Sequence, residues 1–239
     1  MKEEIISYVI PTYREERYIE SCLKSILNQD YRGKKEIIVI DSNSPDNTRE
    51  IAKNNGAKVI NIRARGISKA RNLGIKNANG NIIIFTEGDV ILSANFTKEI
   101  LKVINKEKVV GATGIGIPYG GNVLHKSIYY LLSFFIIIFT WLKLPSFSGS
   151  FTAYKKKYLQ KIGGFDEKMG IAEDMDASKR LRKFGKCKIA YHALAKTSTR
   201  KLVKNGITKT VLFYVYNDLK YLLLDKKLPP TKFKVTEEL

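Results

Sequence analysis

The first half of the chain alternates short apolar runs with longer stretches in which apolar residues recur at helical spacing. Each of four runs is free of charged residues, ends near a polar residue or a proline, and is typical of a strand buried on both faces. These runs are Ile5–Ile10, Ile37–Ile40, Val59–Ile62 and Ile82–Phe85. The stretches between them predict helices over Glu15–Asn28, Asp46–Asn54 and Ser68–Asn77, with Asp46 and Ser68 as N-caps.

Strands and helices in alternation predict a parallel sheet that is covered by helices on both faces. In such sheets, ligands bind beyond the carboxyl ends of the strands. Polar residues follow three of the predicted strands, in the segments Pro11-Thr12-Tyr13, Asp41-Ser42-Asn43 and Glu87-Gly88-Asp89. The glycine signatures of phosphate loops and dinucleotide sites are absent from the sequence. We therefore expect a ligand site of another kind at this edge of the sheet.

The second half of the chain is less regular. Its most prominent feature is Ser127–Leu142, a sixteen-residue run without charge that is bracketed by Lys126 and Lys143. The run is a little short for a membrane-spanning helix, which needs about 20 residues. Its aromatic residues suit a helix that lies in a membrane interface, whereas an apolar surface all round suits a helix buried in the core. Both interpretations stay open. Val211–Leu224 predicts a second, amphipathic helix.

Charge is distributed unevenly along the chain. The 239 residues include 42 Lys and Arg against 23 Asp and Glu, which gives a formal net charge of +19. Residues 108–217 carry 19 basic and 5 acidic side chains, and all five acidic ones lie within Asp166–Asp176. Such a concentration of positive charge indicates an anionic partner, although a solvated lysine-rich surface is the simpler alternative. The 44% of hydrophobic residues excludes a disordered chain.

Cysteine usage and the N-terminal segment indicate the compartment. The two cysteines, Cys22 and Cys187, have no CxxC spacing, so they indicate neither a disulfide framework nor a zinc site. The N-terminal segment MKEEIISYVIPTYREE lacks the basic start, the long apolar run and the cleavage site of a secretory signal. We therefore expect a protein of the cytoplasm.

Carboxylates form two candidate sites. Glu87 and Asp89 follow a predicted strand, where they can hold a divalent cation that leaves its other positions to phosphate and water, or merely form a capping turn. Glu173, Asp174 and Asp176 precede a helix predicted over Ser178–Phe184. A carboxylate near a helix N-terminus is stabilised as an anion, which is the form that a general base needs at neutral pH. A helix-capping role alone would explain one such carboxylate, but it does not easily explain three within four residues.

Several segments together resemble the family 2 glycosyltransferases. In the first half these segments are VIPTYREE from Val9, EIIVIDSNSPDNT from Glu36, ARNLG from Ala70 and FTEGD from Phe85. In the second half GSFTAYK from Gly149, IGGFDE from Ile162 and Glu173-Asp174 with Arg180-Leu181 and Gly185 are similar to the acceptor half of that family. The resemblance covers about residues 5–217, and includes the dolichyl-phosphate sugar synthases and the members that assemble polysaccharides and other glycans.

The resemblance implies the fold and the domain organisation. It implies an α/β GT-A fold, with a Rossmann-like, mostly parallel sheet, helices on both faces and a helical C-terminal extension. We expect a single domain over residues 1–225, followed by a tail over 226–239. Within the domain, residues 1–107 would bind the nucleotide sugar and residues 108–217 would bind the acceptor.

The resemblance also implies the reaction, which is the transfer of a sugar from a nucleoside diphosphate sugar by single displacement, with inversion and a divalent metal, Mg²⁺ or Mn²⁺. The donor would be held by Pro11, Tyr13 and Glu15 around the nucleoside, Asp41 at its base or ribose, Arg71 near the phosphates, and Arg200 at the donor or at an acceptor phosphate. Ser42 stands where a second aspartate is frequent, which leaves the nucleotide open, with UDP favoured over GDP.

Metal, base and acceptor residues follow from the same resemblance. The metal-binding DxD motif corresponds to Glu87-Gly88-Asp89, in which Asp89 would be the direct ligand and Glu87 would face the ribose or a metal-bound water. The first position of that motif is usually aspartate, and the glutamate that replaces it here has a longer side chain. Asp174 would be the general base. The residues expected at the acceptor are Glu173, Gly149 and Trp141.

The positive charge of residues 108–217 and the apolar run together favour an acceptor held at an anionic membrane surface, such as a polyprenyl phosphate or a lipid-linked glycan. We expect the protein to be peripheral on the inner face of the cell membrane. A nucleic-acid binder is disfavoured, because it needs no carboxylates at three strand ends. The remaining alternative is a catalytically silent nucleotide-sugar-binding protein of the same fold.

Overall fold

A computed structural model of the protein describes residues 5–63, 66–141 and 149–224, and the tail expected over residues 226–239 lies outside this part. The strands are β1 (Ile6–Thr12), β2 (Lys35–Asp41), β3 (Lys58–Asn61), β4 (Ile82–Thr86), β5 (Val90–Leu92), β6 (Val109–Tyr119), β7 (Phe151–Lys155) and β8 (Lys186–Ser198). The helices are α1 (Ile19–Leu27), α2 (Thr48–Asn54), α3 (Ile67–Asn77), α4 (Phe96–Ile104), α5 (Val123–Trp141), α6 (Lys156–Lys161), α7 (Glu173–Leu181), α8 (Arg200–Asn205) and α9 (Ile207–Leu224).

The strands form one sheet in the order β3-β2-β1-β4-β7-β6-β8-β5. The four strands predicted from the apolar runs pair in parallel, with β1 between β2 and β4 and with β3 beside β2. β6 and β8 are also parallel, whereas every antiparallel pairing involves β7 or β8. Because the chain leaves β1 towards β2 and returns on its other side at β4, the carboxyl ends of these strands border a crevice where α/β sheets bind ligands.

Each face of the sheet has its own hydrophobic core. Alternate residues of β1 point to opposite faces, so Ile6, Tyr8 and Ile10 pack with α1 and α4. Val9 faces the other way and packs with α3, α6 and α7. The two-sided burial expected of the apolar runs is therefore confirmed for β1, β2 and β4. It is wrong for β3, whose residues are half-buried or exposed because β3 is the edge strand of the sheet.

The helices begin at positions that differ from the predicted ones. α1 begins at Ile19, because residues 15–18 form a turn in which the Glu15 carbonyl accepts the amides of Tyr18 and Ile19, both at 2.9 Å. The N-cap of α2 is Asn47, although the Asp46 carboxylate accepts the Thr48 amide at 3.2 Å. The N-cap of α3 is Gly66, whose φ of 140° suits glycine, so Ser68 lies inside the first turn.

α5 contains most of the apolar run that has two interpretations, and it lies on the surface. Its Ser133 hydroxyl donates to the carbonyl of Gly116 on β6 at 3.4 Å. Side chains more than half exposed occur along its whole length, namely Val123, Leu124, Tyr130, Leu131, Phe134 and Trp141. The structure therefore does not support a core helix. No helix in the described ranges is both long enough and apolar enough to cross a membrane.

α9 packs against the start of α7 through a small separate cluster. Tyr221 of α9 is 3% exposed and contacts Met169, Ala172 and Met175. Its hydroxyl also lies 3.3 Å from Oδ1 of Asp176, to which it donates a hydrogen bond. The C-terminal helix is thus attached to the helix on which the acidic residues of the second half lie.

The close packing of α3 on β1 predicts a large effect of one added methyl group. A Cβ at Gly74 would lie 2.2 Å from Cγ1 of Val9, so we expect Gly74→Ala to destabilise the fold by about 1–3 kcal/mol, in spite of the better helix propensity of alanine. Urea unfolding at constant m-value measures the change. Lys76→Ala, at an exposed position of the same helix, is the control and should stay within about 0.5 kcal/mol. Equal stability of the two variants would contradict the packing.

Candidate active site

Asp41, at the end of β2, organises the wall of the crevice next to β1. Its fully buried carboxylate accepts the hydroxyl of Thr12 at 3.0 Å and the amide of Ser44 at 2.8 Å. Arg49 adds an ion pair at 3.7 Å. The Ser44 hydroxyl also binds Asp41 and accepts the amide of Arg14 at 3.0 Å, which joins the loops after β1 and β2. Asp41 therefore holds together the loops in which the nucleoside-binding residues are predicted.

Two residues of these loops have a left-handed backbone. Arg14, after β1, and Asn43, after β2, both have a φ of 57°, which is uncommon for residues other than glycine. Such conformations cost free energy and are typical of functional sites. Pro11 and Tyr13 are half-buried beside them, and the Arg14 guanidinium lies 5.4 Å from the centre of the Tyr13 ring. The residues predicted to line the nucleoside pocket thus lie together on one rim of the crevice.

Arg200, the first residue of α8, joins two of the predicted donor-site carboxylates. Its Nη2 donates to Oε1 of Glu15, and its Nε lies 2.8 Å from Oδ2 of Asp89 in an ion pair. The guanidinium also stacks on the ring of Tyr18 at 4.5 Å. Burial alone would lower the pKa of Arg200, but Asp89 and Glu15 outweigh it and raise the pKa above its ordinary value. Arg200 is therefore a permanent cation between Glu15 and Asp89.

Asp89 has the features of a cation ligand. Its side chain is 2% exposed, and its Oδ1 is buried without a hydrogen-bond partner among the described residues. Within the described ranges no group of three or more His, Cys, Asp or Glu could hold a metal. Magnesium is nevertheless commonly bound through one or two carboxylates together with substrate phosphates. The donor set of Asp89, with Glu87 two residues before it, fits this mode of binding.

The turn that carries these carboxylates is packed closely against the loop after β1. A Cβ at Gly88 would lie 2.9 Å from Cγ of Glu15, so a glycine lets the turn approach Glu15. Glu87 is half-buried, and its Oε1 accepts the hydroxyl of Ser150 at 2.7 Å. Ser150 precedes β7, so this hydrogen bond connects the candidate metal site to the second half of the chain.

A second group of residues surrounds Asp174. Oδ2 of its half-buried carboxylate accepts the amide of Gly149 at 2.7 Å, and Oδ1 accepts the amide of Met175 at 2.8 Å. α7 begins at Glu173, five residues before the predicted start, so Glu173, Asp174 and Asp176 all lie in its first turn. Ala172, just before the helix, has a left-handed φ of 58°. The predicted clustering of carboxylates at a helix N-terminus is confirmed.

Glu173 is bound to Arg71 of α3 rather than facing solvent. Nη1 of Arg71 lies 2.6 Å from Oε1 of Glu173, and the two residues are 2% and 7% exposed. Burial alone would lower the pKa of Arg71, but the carboxylates of Glu173, Asp174 and Glu87 raise it. The structure thus places Arg71, Glu173, Asp174 and Gly149, four of the residues predicted for the site, in one group.

The remaining residue predicted for the site is Trp141, at the acceptor. No hydrogen bond, ion pair or ring contact in the described part of the chain links Trp141 to these groups, and its side chain is 78% exposed at the end of α5. Two residues that contact site residues in the structure, Tyr18 and Ser150, were not predicted from the sequence. Ser150 lies inside the quoted segment GSFTAYK, which is a signal for it, whereas Tyr18 has no signal beyond its distance of three residues from Glu15.

The position of Arg200 predicts how its loss affects stability. Arg200→Met leaves the buried Asp89 and the half-buried Glu15 without their cation, which should destabilise the metal-free protein by about 3–5 kcal/mol. Because a cation that binds only the folded state stabilises it, Mn²⁺ should raise the melting temperature of this variant more than that of the unaltered protein. Lys102→Met, which removes an exposed cation, is the control. If Mn²⁺ changed the melting temperature equally in all three proteins, the result would count against Asp89 as a cation ligand.

Comparisons with known proteins agree with this arrangement. The model of the family described as Glycosyl transferase family 2 matches residues 7–163. A poly-beta-1,6-N-acetyl-D-glucosamine synthase of Staphylococcus epidermidis is 30% identical over 196 residues, which are 76% of this chain and 46% of that protein. A dolichyl N-acetyl-alpha-D-glucosaminyl phosphate 3-beta-D-2,3-diacetamido-2,3-dideoxy-beta-D-glucuronosyltransferase of Methanococcus voltae is 36% identical over 123 residues, 46% of this chain and 38% of that protein. The chain thus spans less than half the length of these relatives.

A solved structure shows the same fold. The mannosyltransferase PcManGT from Pyrobaculum calidifontis, in complex with GDP-Man and Mn²⁺, matches with a TM-score of 0.73 at 20% identity, over 94% of this chain and 66% of that chain. The α/β architecture of the GT-A fold expected from the sequence is thereby confirmed. Since the family model covers more than half of the sequence, the chain belongs to glycosyl transferase family 2.

Proposed function

We propose that the protein transfers a sugar from a nucleoside diphosphate sugar to an acceptor hydroxyl or phosphate, with inversion at the anomeric carbon. The observation that carries the proposal is the separation of two kinds of carboxylate at one edge of the sheet. Asp89 is buried and paired with Arg200, whereas Asp174 is half-buried at the start of α7 and is held by a backbone amide. A metal-assisted displacement needs these two environments, one for a cation and one for a base.

On the donor side, Asp89 would hold Mg²⁺ or Mn²⁺, and Glu87 would lie next to it. Such a cation neutralises the charge that develops on a leaving diphosphate. The loops held by Asp41 and the rim at Pro11 and Tyr13 would bind the nucleoside, for which we predict uridine rather than guanosine. Arg200 already lies against Asp89 and Glu15, so its guanidinium is within reach of a diphosphate that binds at Asp89.

On the acceptor side, Asp174 would act as the general base. The acceptor oxygen forms a bond to the anomeric carbon while the bond from that carbon to the diphosphate breaks, and Asp174 takes the acceptor proton when the nucleophile is a hydroxyl. The amide of Gly149 holds Oδ2 at 2.7 Å and so fixes the direction of the carboxylate. A positioned base of this kind contributes about 10²–10⁴-fold to a rate.

The acceptor would be lipid-linked or close to a membrane. Thirteen large hydrophobic side chains of the described residues are exposed, and ten of them lie on α5, α8 and α9. Exposed lysines accompany them on each of these helices, namely Lys126, Lys204 and Lys209. Apolar side chains with flanking lysines suit a surface of anionic lipid. The Methanococcus voltae relative, whose name includes a dolichyl phosphate, supports the same class of acceptor.

The role of Asp174 predicts a clear separation of turnover from donor binding. We expect Asp174→Asn to lower kcat by about 10²–10⁴-fold, because the amide cannot accept the acceptor proton. Donor affinity, measured by thermal shift with UDP-sugars and GDP-sugars in the presence of Mn²⁺, should change less than about twofold. Glu107→Gln, which removes an exposed carboxylate outside the site, is the control and should keep its activity.

Two outcomes of this experiment would contradict the proposal. Unchanged turnover in Asp174→Asn would refute the assignment of the base. If the unaltered protein binds nucleotide sugars and neither transfers nor hydrolyses them, the catalytically silent alternative is correct.

The exposed apolar side chains predict reversible binding to anionic vesicles. At low salt the protein should float with vesicles of mixed neutral and anionic phospholipid, because lysines near such a surface contribute about 1 kcal/mol each. Leu131→Asp with Phe134→Asp, both on α5, should lower the bound fraction about tenfold or more, since a buried side chain of this size contributes about 1.5–3 kcal/mol. Tyr191→Asp, at an equally exposed position on β8, is the matched control. A protein that stays in the bottom fraction at low salt would refute the membrane proposal.

A further inference from the structure

The Arg71 side chain is an unusual feature of the described core. It is the largest of the side chains that are almost fully buried. A buried guanidinium is tolerated only where a counter-charge and hydrogen bonds compensate for the loss of water. Its surroundings therefore show what the arginine is needed for.

In the described part of the chain, three contacts of the guanidinium belong to the second half of the chain, and the carboxylate of Glu87, in the first half, also acts on its charge. Nη1 binds Oε1 of Glu173 at 2.6 Å. The guanidinium carbon lies 5.2 Å from the centre of the Phe165 ring. Nη2 lies against Gly149, where a Cβ would come within 2.0 Å of it. One side chain of α3 thus contacts three separate segments around Asp174.

The same three segments determine where Asp174 lies. Glu173 is its neighbour in the first turn of α7, and the Gly149 amide donates to its Oδ2 at 2.7 Å. Phe165 is fixed by the side chain of Asn72, which accepts the Phe165 amide at 2.8 Å and donates to its carbonyl at 2.9 Å. The adjacent residues Arg71 and Asn72 therefore hold the loop before α7, the start of α7 and the segment at Gly149 as one unit.

The backbone before α7 needs such support. Ala172 has φ 58° and ψ 23°, a left-handed conformation that persists for alanine only where its surroundings enforce it. This residue turns the chain into the helix immediately before Glu173 and Asp174. The ion pair of Glu173 with Arg71 lies one residue beyond the strained position, so it is placed to hold the turn.

We propose that Arg71 and Glu173 are positioning residues that act through Asp174, by fixing the first turn of α7 against Gly149, and that Arg71 does not bind the donor phosphates directly. The proposal rests on the function proposed above. Nη1 of Arg71 is already bound to Glu173, and with 2% of its surface exposed the side chain offers little surface to a phosphate in the crevice, although its Nε has no hydrogen-bond partner among the described residues. Displacement of a reacting group by about 1 Å costs roughly 10²-fold in rate, which sets the size of the expected effect.

The central test is whether the effect of Arg71 depends on the presence of Asp174. Arg71→Met should lower kcat by about 10–100-fold and leave the affinity for the nucleotide sugar, measured by titration calorimetry with Mn²⁺, within about twofold. In the Asp174→Asn background, the same substitution should lower kcat no further, because residues that act as a unit are not additive. Arg71→Lys should recover part of the loss, since it keeps the charge next to Glu173.

A second variant covers the case in which Arg71→Met does not fold. Replacing both members of a buried pair with apolar residues is commonly neutral for folding, so Arg71→Met with Glu173→Leu should give a folded protein. It should bind the donor normally and still turn over slowly. The matched control is Lys76→Met, which removes a cation from an exposed position of the same helix, α3. We expect its kcat to stay within about twofold.

The outcomes separate this inference from the proposed function. If Arg71→Met weakens donor binding by tenfold or more, or if its effect multiplies with that of Asp174→Asn, Arg71 acts on the donor and the positioning role is wrong. If Asp174→Asn itself retains turnover, the base assignment fails first, whatever the result for Arg71. Loss of kcat with intact donor binding, absent in the Asp174→Asn background, would support the inference.

Discussion

The buried ion pair between Arg71 and Glu173 is the contact on which the geometry of the candidate site depends. It joins residues 102 positions apart, on α3 of the first half and α7 of the second. Such pairs add little net stability compared with apolar residues of the same size, but they are costly to break from one side. We therefore expect the pair to specify one register of α7 relative to the sheet. The side chain of Asn72 and the hydrogen bond from Ser150 to Glu87 reinforce that register on either side.

Two arginines, the buried Arg71 and the half-buried Arg200, each neutralise a separate group of carboxylates in the crevice. Arg71 lies among Glu173, Asp174 and Glu87, and Arg200 lies between Asp89 and Glu15. Each guanidinium is close to the carboxylates that it compensates, so the crevice itself is not strongly positive. The excess of lysine in residues 108–217 lies instead on the surface, for example on α5, α8 and α9. The net charge of the chain and the charge of its site thus have separate origins.

Much of the first half could be predicted from the sequence, because local patterns determine it. The apolar runs predicted β1 to β4 within two residues at each end, and the carboxyl ends of these strands carry the polar groups as expected. The start of α7 could not be predicted in this way. Its first turn is polar, so it lacks apolar periodicity, and the left-handed Ala172 that begins it has no signature in sequence.

Contacts between residues far apart in the chain could not be predicted from the sequence either. Arg200 meets Glu15 across 185 positions, and its stacking on Tyr18 depends on the way β8 returns beside β6. The placement of α5 illustrates another limit, because an apolar run has the same composition in a core as on a surface. Only the neighbouring strands, which α5 covers with one side, decide between the two.

The contacts between α9 and α7 connect an exposed helix face to the start of the helix that carries Asp174. One side of α9 presents Leu212, Val215 and Tyr216 to the outside, while Tyr221 is held in the small cluster next to Ala172 and Met175. A rigid helix that is pushed or tilted from outside transmits the displacement to its inner contacts. A ligand that binds the outer face of α9 and favours one position of this helix would therefore also favour one position of the turn before Asp174, and the two effects would be reciprocal.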